Sequence, residues 1–369
     1  MKILSIVWYK VLPPKFGGQK GIANFNKYIA KCYPLVCICS KNNEAEDGIP
    51  YKVLPQLPLS KWQFFNPWCW KKIKNIAKKE EITHIILEHP YHGIAAVKTK
   101  KSIGATLILH SHNIESERYR QTGRWFWRLI RYYEKWVCKK ADFILFKTEA
   151  DKNFAIKSYK VEKDKCIVLP YCIEQTAPPD KIIAKQLICQ RHGMLLTEKI
   201  LLFTGTLDYL PNAKEAEKIY SKIAPSLSAD KYLFKIIICG RNKFASFQYL
   251  KSLTHPNVIL AGEVNDIENY FAAADVFINP VETGGGVQTK NIDALAHNCN
   301  LVCFKNMIEK ETIALVTDKI FAIAPGDWQM FIQEIKKAAS QTSVTNPDFF
   351  KYYNWETTIN GLVNKINKI

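Results

Sequence analysis

The chain has 369 residues, of which 47% are hydrophobic, and its 52 Lys and Arg against 34 Asp and Glu give a formal net charge of +18. This length predicts two domains, and this hydrophobic content excludes a wholly disordered chain. The positive charge attracts anions in general, so nucleotides, nucleic acids and acidic lipid headgroups all stay open as partners.

In the first half of the chain, short apolar runs rich in β-branched residues alternate with longer stretches of helical periodicity. The predicted strands there cover residues 2–7, 35–39, 84–89, 106–112, 142–148 and 166–171. Continuous apolar strands of this kind are typical of a parallel sheet that helices cover on both faces.

The second half restarts the same alternation after a proline-containing polar segment at 174–181. Its predicted strands cover residues 200–206, 234–240, 257–264, 275–281 and 300–304. Two successive runs of β–α units predict an α/β chain of two doubly wound, Rossmann-like domains. We predict an N-terminal domain at 1–175, a C-terminal domain at 176–348 and a terminal helix within 349–369.

The cysteines and the N-terminus indicate the cellular compartment. Cysteines such as Cys37, Cys39 and Cys239 lie in apolar runs and are typical of small buried side chains, and no pair of CxxC motifs indicates zinc. The first residues show no signal-peptide layout, and no apolar run approaches the roughly 18 residues that a membrane span needs. We therefore expect a cytoplasmic protein.

Open α/β sheets bind ligands beyond the carboxyl ends of their strands, so the residues that follow each strand are candidates. Gly17 and Gly18 follow the first strand and precede a helical pattern, which lets the backbone approach an anion, although a simple tight turn explains them equally well. His112, Asn113 and Glu115 end the strand at 106–112 as a polar cluster suited to substrate contacts. Asn113 is an equally good helix cap.

Candidates in the second half follow the strands at 200–206 and 234–240. Gly205 and Thr206 end the first of these, with Asn212 shortly after, and Gly205 allows close backbone approach. Arg241 follows the second strand and has the chemistry to bind phosphate through two hydrogen bonds, although a solvated surface charge is the alternative.

The most informative segment runs from Pro280 to Ala296. Gly284, Gly285 and Gly286 stand between a predicted strand and a predicted helix, presenting bare amides and a positive helix end to a diphosphate. Lys290 lies in the first turn of that helix, where a cation is unfavourable unless it meets a bound anion. Asp293 is near the same face and is suited to bind ribose hydroxyls. The spacing matches neither a Walker A motif nor GxGxxG.

Together these segments resemble glycosyltransferase family 4, which has the GT-B fold, and within it the branch with a GGGxxxKxxEA motif. The likeness extends over most of the chain. It is carried by the glycines at 17–18, HNIE at 112–115, FTGTLDYLPN at 203–212, CGRN at 239–242 and the segment 266–296.

The resemblance implies two domains that face each other across a cleft, with the terminal helix crossing back to the N-terminal domain. It implies retaining transfer of a sugar from a UDP-sugar or GDP-mannose type of donor to a glycan or lipid-linked acceptor hydroxyl, in cell-surface polysaccharide synthesis. It implies neither a metal nor a cofactor beyond the nucleotide-sugar co-substrate, and no covalent nucleophile.

The resemblance also assigns roles to residues. The implied donor-binding set is Gly205, Thr206, Asn212, Arg241, Val264, Glu282, Gly284, Gly285, Gly286, Lys290 and Asp293. The implied acceptor-side set is Gly17, Gly18, His112, Asn113 and Glu115. The residues with an implied catalytic role are His112, Lys290 and Arg241. Two glutamates eight positions apart are common in relatives, and here Gly285 and Asp293 stand at those positions.

Two stretches, 61–72 and 118–140, mix basic and aromatic residues in a way that suits an anionic membrane surface, at the inner face of the cell membrane. Core aromatics flanked by solvated charge are the alternative. A rival function is a non-enzymatic nucleic-acid-binding protein, but no helix-turn-helix, RRM or zinc pattern supports it, and no nucleic-acid partner is expected. A second rival keeps the fold and is a sugar-nucleotide epimerase.

Overall fold

The computed structural model describes residues 1–15, 17–45, 47–60, 64, 66–282 and 286–366. The chain divides into two compact units. Unit 1 comprises Met1–Cys172 and Trp355–Ile369, and unit 2 comprises Ile173–Asn354. None of the helices in the described ranges combines the length and the apolar content needed to cross a membrane.

Unit 1 contains a parallel seven-stranded sheet of order β3-β2-β1-β4-β5-β6-β7. Its strands are β1 (Ile3–Val7), β2 (Leu35–Ser40), β3 (Lys52–Leu57), β4 (His84–Glu88), β5 (Thr106–Ser111), β6 (Phe143–Phe146) and β7 (Cys166–Val168). Its first six helices are α1 (Gly17–Ala30), α2 (Pro67–Lys79), α3 (Gly93–Ile103), α4 (Glu115–Gln121), α5 (Trp127–Lys140) and α6 (Glu149–Phe154).

The side chains of the central strand β1 show why helices cover both faces of this sheet. All five of its residues are buried. Because side chains alternate along a strand, Leu4 and Ile6 enter one apolar cluster, which α2, α3 and α5 complete, while Ile3 and Val7 enter a second cluster with α1.

Unit 2 contains a parallel six-stranded sheet of order β10-β9-β8-β11-β12-β13. Its strands are β8 (Lys199–Thr204), β9 (Phe234–Cys239), β10 (Val258–Gly262), β11 (Val276–Asn279), β12 (Asn300–Phe304) and β13 (Ile320–Ile323). Its helices are α7 (Lys181–His192), α8 (Leu210–Lys218), α9 (Ala224–Ala229), α10 (Ile267–Ala273), α11 (Thr289–Ala296), α12 (Lys310–Leu315), α13 (Trp328–Ser340) and α14 (Pro347–Tyr352).

The last helix, α15 (Trp355–Ile366), belongs to unit 1. Trp355 is buried in the cluster that contains α1, and its ring stacks on Tyr28 with centroids 5.5 Å apart. Lys31 and Glu356 add an ion pair at 2.9 Å on the surface of the same contact. Unit 1 is therefore assembled from two segments of the chain that are distant in sequence.

Two features of the fold differ from the sequence prediction. The edge strands β3 and β13 were not predicted, and Gly17 and Gly18 are the first residues of helix α1 rather than preceding it. β3 contains Pro55 and has exposed residues along it, which is tolerated at an edge because one row of backbone groups needs no partner strand.

Candidate functional site

In unit 1, charged and aromatic side chains collect where neighbouring parallel strands end. Glu88 is the last residue of β4, His110 and His112 lie at the end of β5, and Lys147 follows β6 directly. These strands are adjacent in the sheet. Their carboxyl ends therefore bring together residues up to 59 positions apart, from Glu88 to Lys147.

The carboxylate of Glu88 is the centre of this group, which we call the Glu88 cluster (Glu88, His89, His110, His112 and Lys147). Glu88 Oε2 lies 2.6 Å from His112 Nε2, and Oε1 lies 3.1 Å from His110 Nδ1. The His112 ring is packed between two others, with centroids 4.2 Å from His110 and 4.4 Å from His89.

Burial dominates the electrostatics of the cluster. It raises the pKa of Glu88, lowers the pKa of Lys147 and holds the pKa of His112 well below its usual range. Lys147 Nζ is buried without a hydrogen-bond partner among the described residues, and Cys172 and Glu88 act on it through space to favour its charged form. His112 is a neutral imidazole near pH 7.

Of the described residues, Glu88, His110 and His112 form the one group whose ligand atoms lie close enough to hold a metal ion, within 4.8 Å of one another. Ligand atoms that each lie about 2 Å from a zinc ion stand more than about 3 Å apart. The 2.6 Å between Glu88 and His112 is instead a hydrogen-bond distance, and the Lys147 ammonium would repel a cation. This arrangement does not fit a metal.

Glu115, in the first turn of α4, anchors a second network beside the cluster. Its carboxylate accepts hydrogen bonds from the Tyr91 hydroxyl at 2.7 Å and from Arg118 Nε at 2.9 Å, and His89 Nδ1 lies 3.3 Å away. Burial acts to raise the pKa of Glu115, but the contacts from His89 and Arg118 hold it at about 2. Asn113 Nδ2 approaches the same carboxylate at 3.5 Å.

The structure thus brings the predicted acceptor-side residues His112, Asn113 and Glu115 together. Gly17 and Gly18 form the start of α1, and the Gly18 carbonyl accepts a long hydrogen bond of 3.5 Å from the Tyr9 hydroxyl. The Tyr9 ring lies 5.9 Å from the His89 ring, which links the glycines to the Glu88 cluster.

In unit 2, the turns after β8 and β9 touch at Gly205 and Gly240. A Cβ on Gly240 would lie 1.9 Å from the Gly205 carbonyl oxygen, so only glycine fits there. A Cβ on Gly205 would lie 2.8 Å from the Asn212 side chain, whose amide donates to the Thr206 carbonyl at 3.1 Å. The predicted residues Gly205, Thr206 and Asn212 therefore share one site.

Arg241 follows Gly240 and is held by Asp208. The buried Asp208 carboxylate accepts from Arg241 Nε at 2.9 Å and from the backbone N–H groups of Lys243 and Phe244 at 2.8 and 2.7 Å. The Arg241 side chain keeps 38% of its exposure. Sequence reasoning left Asp208 out, although it lies within the FTGTLD segment.

Lys290, the second residue of α11, reaches the end of β8. Its Nζ donates to the Thr204 carbonyl at 3.3 Å and lies 4.8 Å from the Phe203 ring centroid. Burial lowers the pKa of Lys290 to about 7. Gly286, just before α11, has a φ of 77°, in the left-handed region that favours glycine. Gly284 and Gly285 lie outside the described residues.

Glu282 is engaged in an ion-pair chain. Its carboxylate lies 2.8 Å from Lys218 Nζ, which in turn lies 3.1 Å from Glu215. Glu215 is buried on α8, and burial raises its pKa to about 7. Glu215 also acts on Lys290 through space. No pattern in the sequence predicted Glu215 as a site residue.

The remaining predicted donor-side residues are Asp293, on the same helix as Lys290, and Val264, after β10. Asp293 is three residues after Lys290 on α11, and its backbone carbonyl faces His297 Nδ1 at 2.7 Å. Val264 is half-buried in the connection after β10, an edge strand two positions from β8 in the sheet.

The chain contains two doubly wound parallel α/β units. Each unit has glycines or charged side chains at the carboxyl edge of its sheet. This combination is that of the GT-B class of fold. Residues 21–176 match the family model described as Glycosyltransferase Family 4, and residues 198–341 match the one described as Glycosyl transferases group 1. The chain therefore contains a Glycosyltransferase Family 4 domain followed by a group 1 glycosyl transferase domain, and it is a glycosyltransferase enzyme. The family, fold class and enzyme class predicted from the sequence are confirmed.

Solved structures match nearly the whole chain. Sucrose-phosphate synthase from Thermosynechococcus elongatus is 13% identical with a TM-score of 0.80, over 100% of this chain and 99% of that one. HepE from Anabaena in complex with UDP-glucose is 14% identical with a TM-score of 0.74, over 99% of this chain and 100% of HepE. WaaG, a glycosyltransferase involved in lipopolysaccharide biosynthesis, is 15% identical with a TM-score of 0.68, over 96% of this chain and 94% of WaaG. No curated protein sequence matches significantly.

Proposed function

We propose that this enzyme transfers a sugar, with retention of anomeric configuration, from a UDP-sugar or GDP-mannose type of donor to a hydroxyl of a glycan or lipid-linked acceptor. HepE has the same fold and was solved with UDP and with UDP-glucose. WaaG takes part in lipopolysaccharide biosynthesis. These relatives support a role in cell-surface polysaccharide synthesis.

The position of Lys290 carries the proposal. Lys290 is half-buried, and the partial loss of water lowers the pKa of its ammonium to about 7, while the Thr204 carbonyl at 3.3 Å is a weak replacement for that water. A donor diphosphate at the N-terminus of α11 would supply the missing negative charge, which is also what the backbone amides of a helix start bind best. Lys290 and this helix end therefore act on the same ligand group.

Arg241 is the second cation of the proposed donor site. As the bond between the sugar C1 and the diphosphate oxygen breaks, negative charge accumulates on the leaving diphosphate. Lys290 and Arg241, fixed before the reaction, stabilise that charge. The acceptor oxygen forms the new bond to C1 on the face that the diphosphate leaves, and its proton passes to an oxygen of the departing diphosphate. We propose that these cations do the work that a metal ion does elsewhere, so that transfer needs neither a metal nor a cofactor.

Calorimetry with a panel of nucleotides and nucleotide sugars tests this function. We expect one nucleotide class to bind and Lys290→Met to weaken binding by about 10- to 100-fold, since a charged hydrogen bond is worth about 1.5–3 kcal/mol. Lys214→Met removes the same charge from an exposed position on α8 and should bind like the wild type. Folded protein that binds no member of the panel would contradict the function.

A transfer assay separates this function from the epimerase alternative. A transferase consumes the donor only when a glycan or lipid-linked acceptor is supplied, whereas an epimerase converts the donor alone. Retention predicts that the anomeric configuration of the product linkage equals that of the donor, which NMR of the product reads directly. Inversion would overturn that part of the proposal.

We also propose that unit 1 binds an anionic membrane surface through α5 and the turn before it. Exposed apolar side chains recur there at helical spacing, which places them on one face. This apolar stripe consists of Trp125, Leu129, Tyr132 and Trp136, with exposed fractions of 83%, 64%, 75% and 36%. A basic stripe beside it consists of Arg124, Arg128, Arg131 and Lys135. In the other predicted stretch, residues 61–63 and 65 lie outside the described residues.

Flotation with vesicles tests the membrane proposal. We expect binding to anionic vesicles, little binding to zwitterionic ones, and release by salt, because screening weakens the attraction of the basic stripe. The double variant Trp125→Ser, Leu129→Ser should lose binding. Ile182→Ser with Ile183→Ser removes two equally exposed apolar side chains from unit 2 and should not. Equal loss in both variants would contradict a specific surface.

A further inference from the structure

We propose that Glu88 is a positioning residue for His112, holding the imidazole through Nε2 so that Nδ1 meets a sugar hydroxyl during transfer. The inference rests on the proposed function, because it takes His112 to lie against a sugar. It adds a residue to which neither the family resemblance nor the donor-side chemistry assigns a role.

The difference in burial between Glu88 and His112 shows which of the two side chains can contact a substrate. The Glu88 side chain has no exposed surface, whereas His112 keeps 11%. Glu88 therefore cannot reach a substrate, and its 2.6 Å contact uses the Nε2 side of the ring. The His112 atom left to act on a ligand is Nδ1.

The cluster fixes the ring in position as well as in orientation. His110 Nδ1 lies 3.0 Å from Oε2 and 3.1 Å from Oε1 of the same carboxylate, which holds Glu88 itself in place. The rings of His110 and His89 lie on His112 at centroid distances of 4.2 and 4.4 Å. With one hydrogen bond and two ring contacts, His112 has little freedom to rotate.

The tautomer follows from the charge state of Glu88. An ionised carboxylate can only accept, so Nε2 carries the proton and Nδ1 keeps its lone pair, ready to accept a hydrogen bond from a hydroxyl. The groups that face Glu88 from the packed elements are Tyr9 after β1, Cys37 of β2, His110 and His112 of β5, and Lys147 after β6. Lys147 is the basic residue among them and favours the carboxylate.

Glu88→Gln tests the inference, since it keeps the shape and removes the obligatory acceptor. We expect kcat at saturating donor to fall by about 10- to 100-fold, the range seen when partners that orient a functional histidine are removed. The calorimetric donor affinity should stay unchanged. Wild-type kcat should rise with pH as the buried carboxyl ionises, and the variant should lack that rise.

Two further measurements separate positioning from a structural role. In a His112→Ala background, Glu88→Gln should cost nothing more, because residues that act as a unit are not additive. Asp142→Asn, which changes a carboxyl just before β6, at the opposite end of that strand from Lys147, should leave kcat and its pH profile unchanged. An equal cost of Glu88→Gln in both backgrounds would overturn the inference.

Nitrogen chemical shifts of His112 in the wild type give a test that needs no variant. Above about pH 8, where Glu88 is ionised, a proton on Nε2 supports the inference, and a neutral ring with its proton on Nδ1 overturns it. A wild type that binds no donor contradicts the proposed function. A wild type that transfers sugar, with Glu88→Gln equal to it in kcat and pH profile, contradicts only the role of Glu88.

Discussion

Lys290 makes donor binding depend on pH. Its pKa of about 7 without ligand means that the ammonium is only partly formed near neutrality, and a bound diphosphate raises that pKa. Binding then takes up a proton, so affinity is highest below about pH 7 and falls by at most about tenfold per pH unit above it. Calorimetry with a nucleotide sugar between about pH 6 and pH 9 measures this slope.

Lys290→Met is the control for that slope, because its affinity should be low and independent of pH over the same range. A nucleotide sugar is preferred to the free nucleotide, whose terminal phosphate itself titrates with a pKa of about 6. If the affinity of Lys290→Met falls with pH as steeply as that of the wild type, the proton taken up on binding belongs to another group.

Asp208 should matter for donor binding without touching the donor. Its carboxylate fixes Arg241 and two backbone amides of the same turn, so Asp208→Asn loosens the turn and should raise the donor Kd by about tenfold, the effect of one charged hydrogen bond. Asp275→Asn removes a comparable carboxylate, which accepts from Lys185 at 3.1 Å and from the Ile200 N–H at 2.8 Å just before β11, at the other end of the strands, and it serves as the control. Equal Kd values for both variants would contradict the role of Asp208.

At the scale of single residues, the sequence predicted candidate site residues that follow strands. It missed residues that hold another side chain in place without contacting a ligand. His112, Gly205 and Lys290 stand in turns or at helix starts, where position alone suggests a ligand contact. Glu88 ends an apolar strand, and its partner His112 is 24 residues away. That pairing exists only because β4 and β5 are neighbours, which strand order decides and local sequence does not.

The short helix α4 depends on a carboxylate from α5. Glu134 accepts hydrogen bonds from the backbone N–H groups of Glu115 and Ser116 at 2.7 and 3.0 Å, and from the Tyr159 hydroxyl at 2.6 Å. Glutamine keeps one acceptor oxygen and adds donors, so Glu134→Gln should lower the free energy of unfolding by about 1–3 kcal/mol. Denaturant unfolding measures that change.

Glu149→Gln is the matched control, since Glu149 is 43% exposed and pairs with Lys152 on its own helix. Surface pairs of this kind contribute about 0–1 kcal/mol. Hydrogen exchange should show the loss of protection in α4 for Glu134→Gln alone. Unchanged stability of Glu134→Gln would show that water replaces the carboxylate at no cost.

At the scale of elements, apolar runs decided which strands the sequence could predict. The inner strands are apolar on both faces and were predicted, as were the edge strands β7 and β10, which are also apolar runs. β3 has exposed residues and a proline, so it lacks the signature of a buried strand. β13 is a four-residue apolar run that the prediction left out.

At the scale of the whole molecule, β–α units alternate along the chain and the alternation starts a second time. This pattern predicted two domains. The β–α pattern does not predict which unit the last helix packs against, because no strand follows α15 in the described chain. Its apolar face does: Trp355, Ile359 and Leu362 complete the unit 1 cluster that contains β1, β2 and α1. Unit 1 therefore needs the end of the chain for its core, whereas unit 2 is continuous.

Trp355→Ala should consequently destabilise unit 1 selectively. The side chain is 1% exposed, and truncating a buried tryptophan to alanine costs about 3–5 kcal/mol through lost burial and the cavity left behind. Hydrogen exchange should show faster amide exchange in β1 and β2 and unchanged exchange in β8 and β11. Trp328→Ala is the reciprocal control, because Trp328 packs on the unit 2 cluster and should affect the strands of that unit instead. Faster exchange in β8 and β11 of Trp355→Ala would mean that the two units unfold together, and the assignment of α15 to unit 1 would then carry no separate energetic meaning.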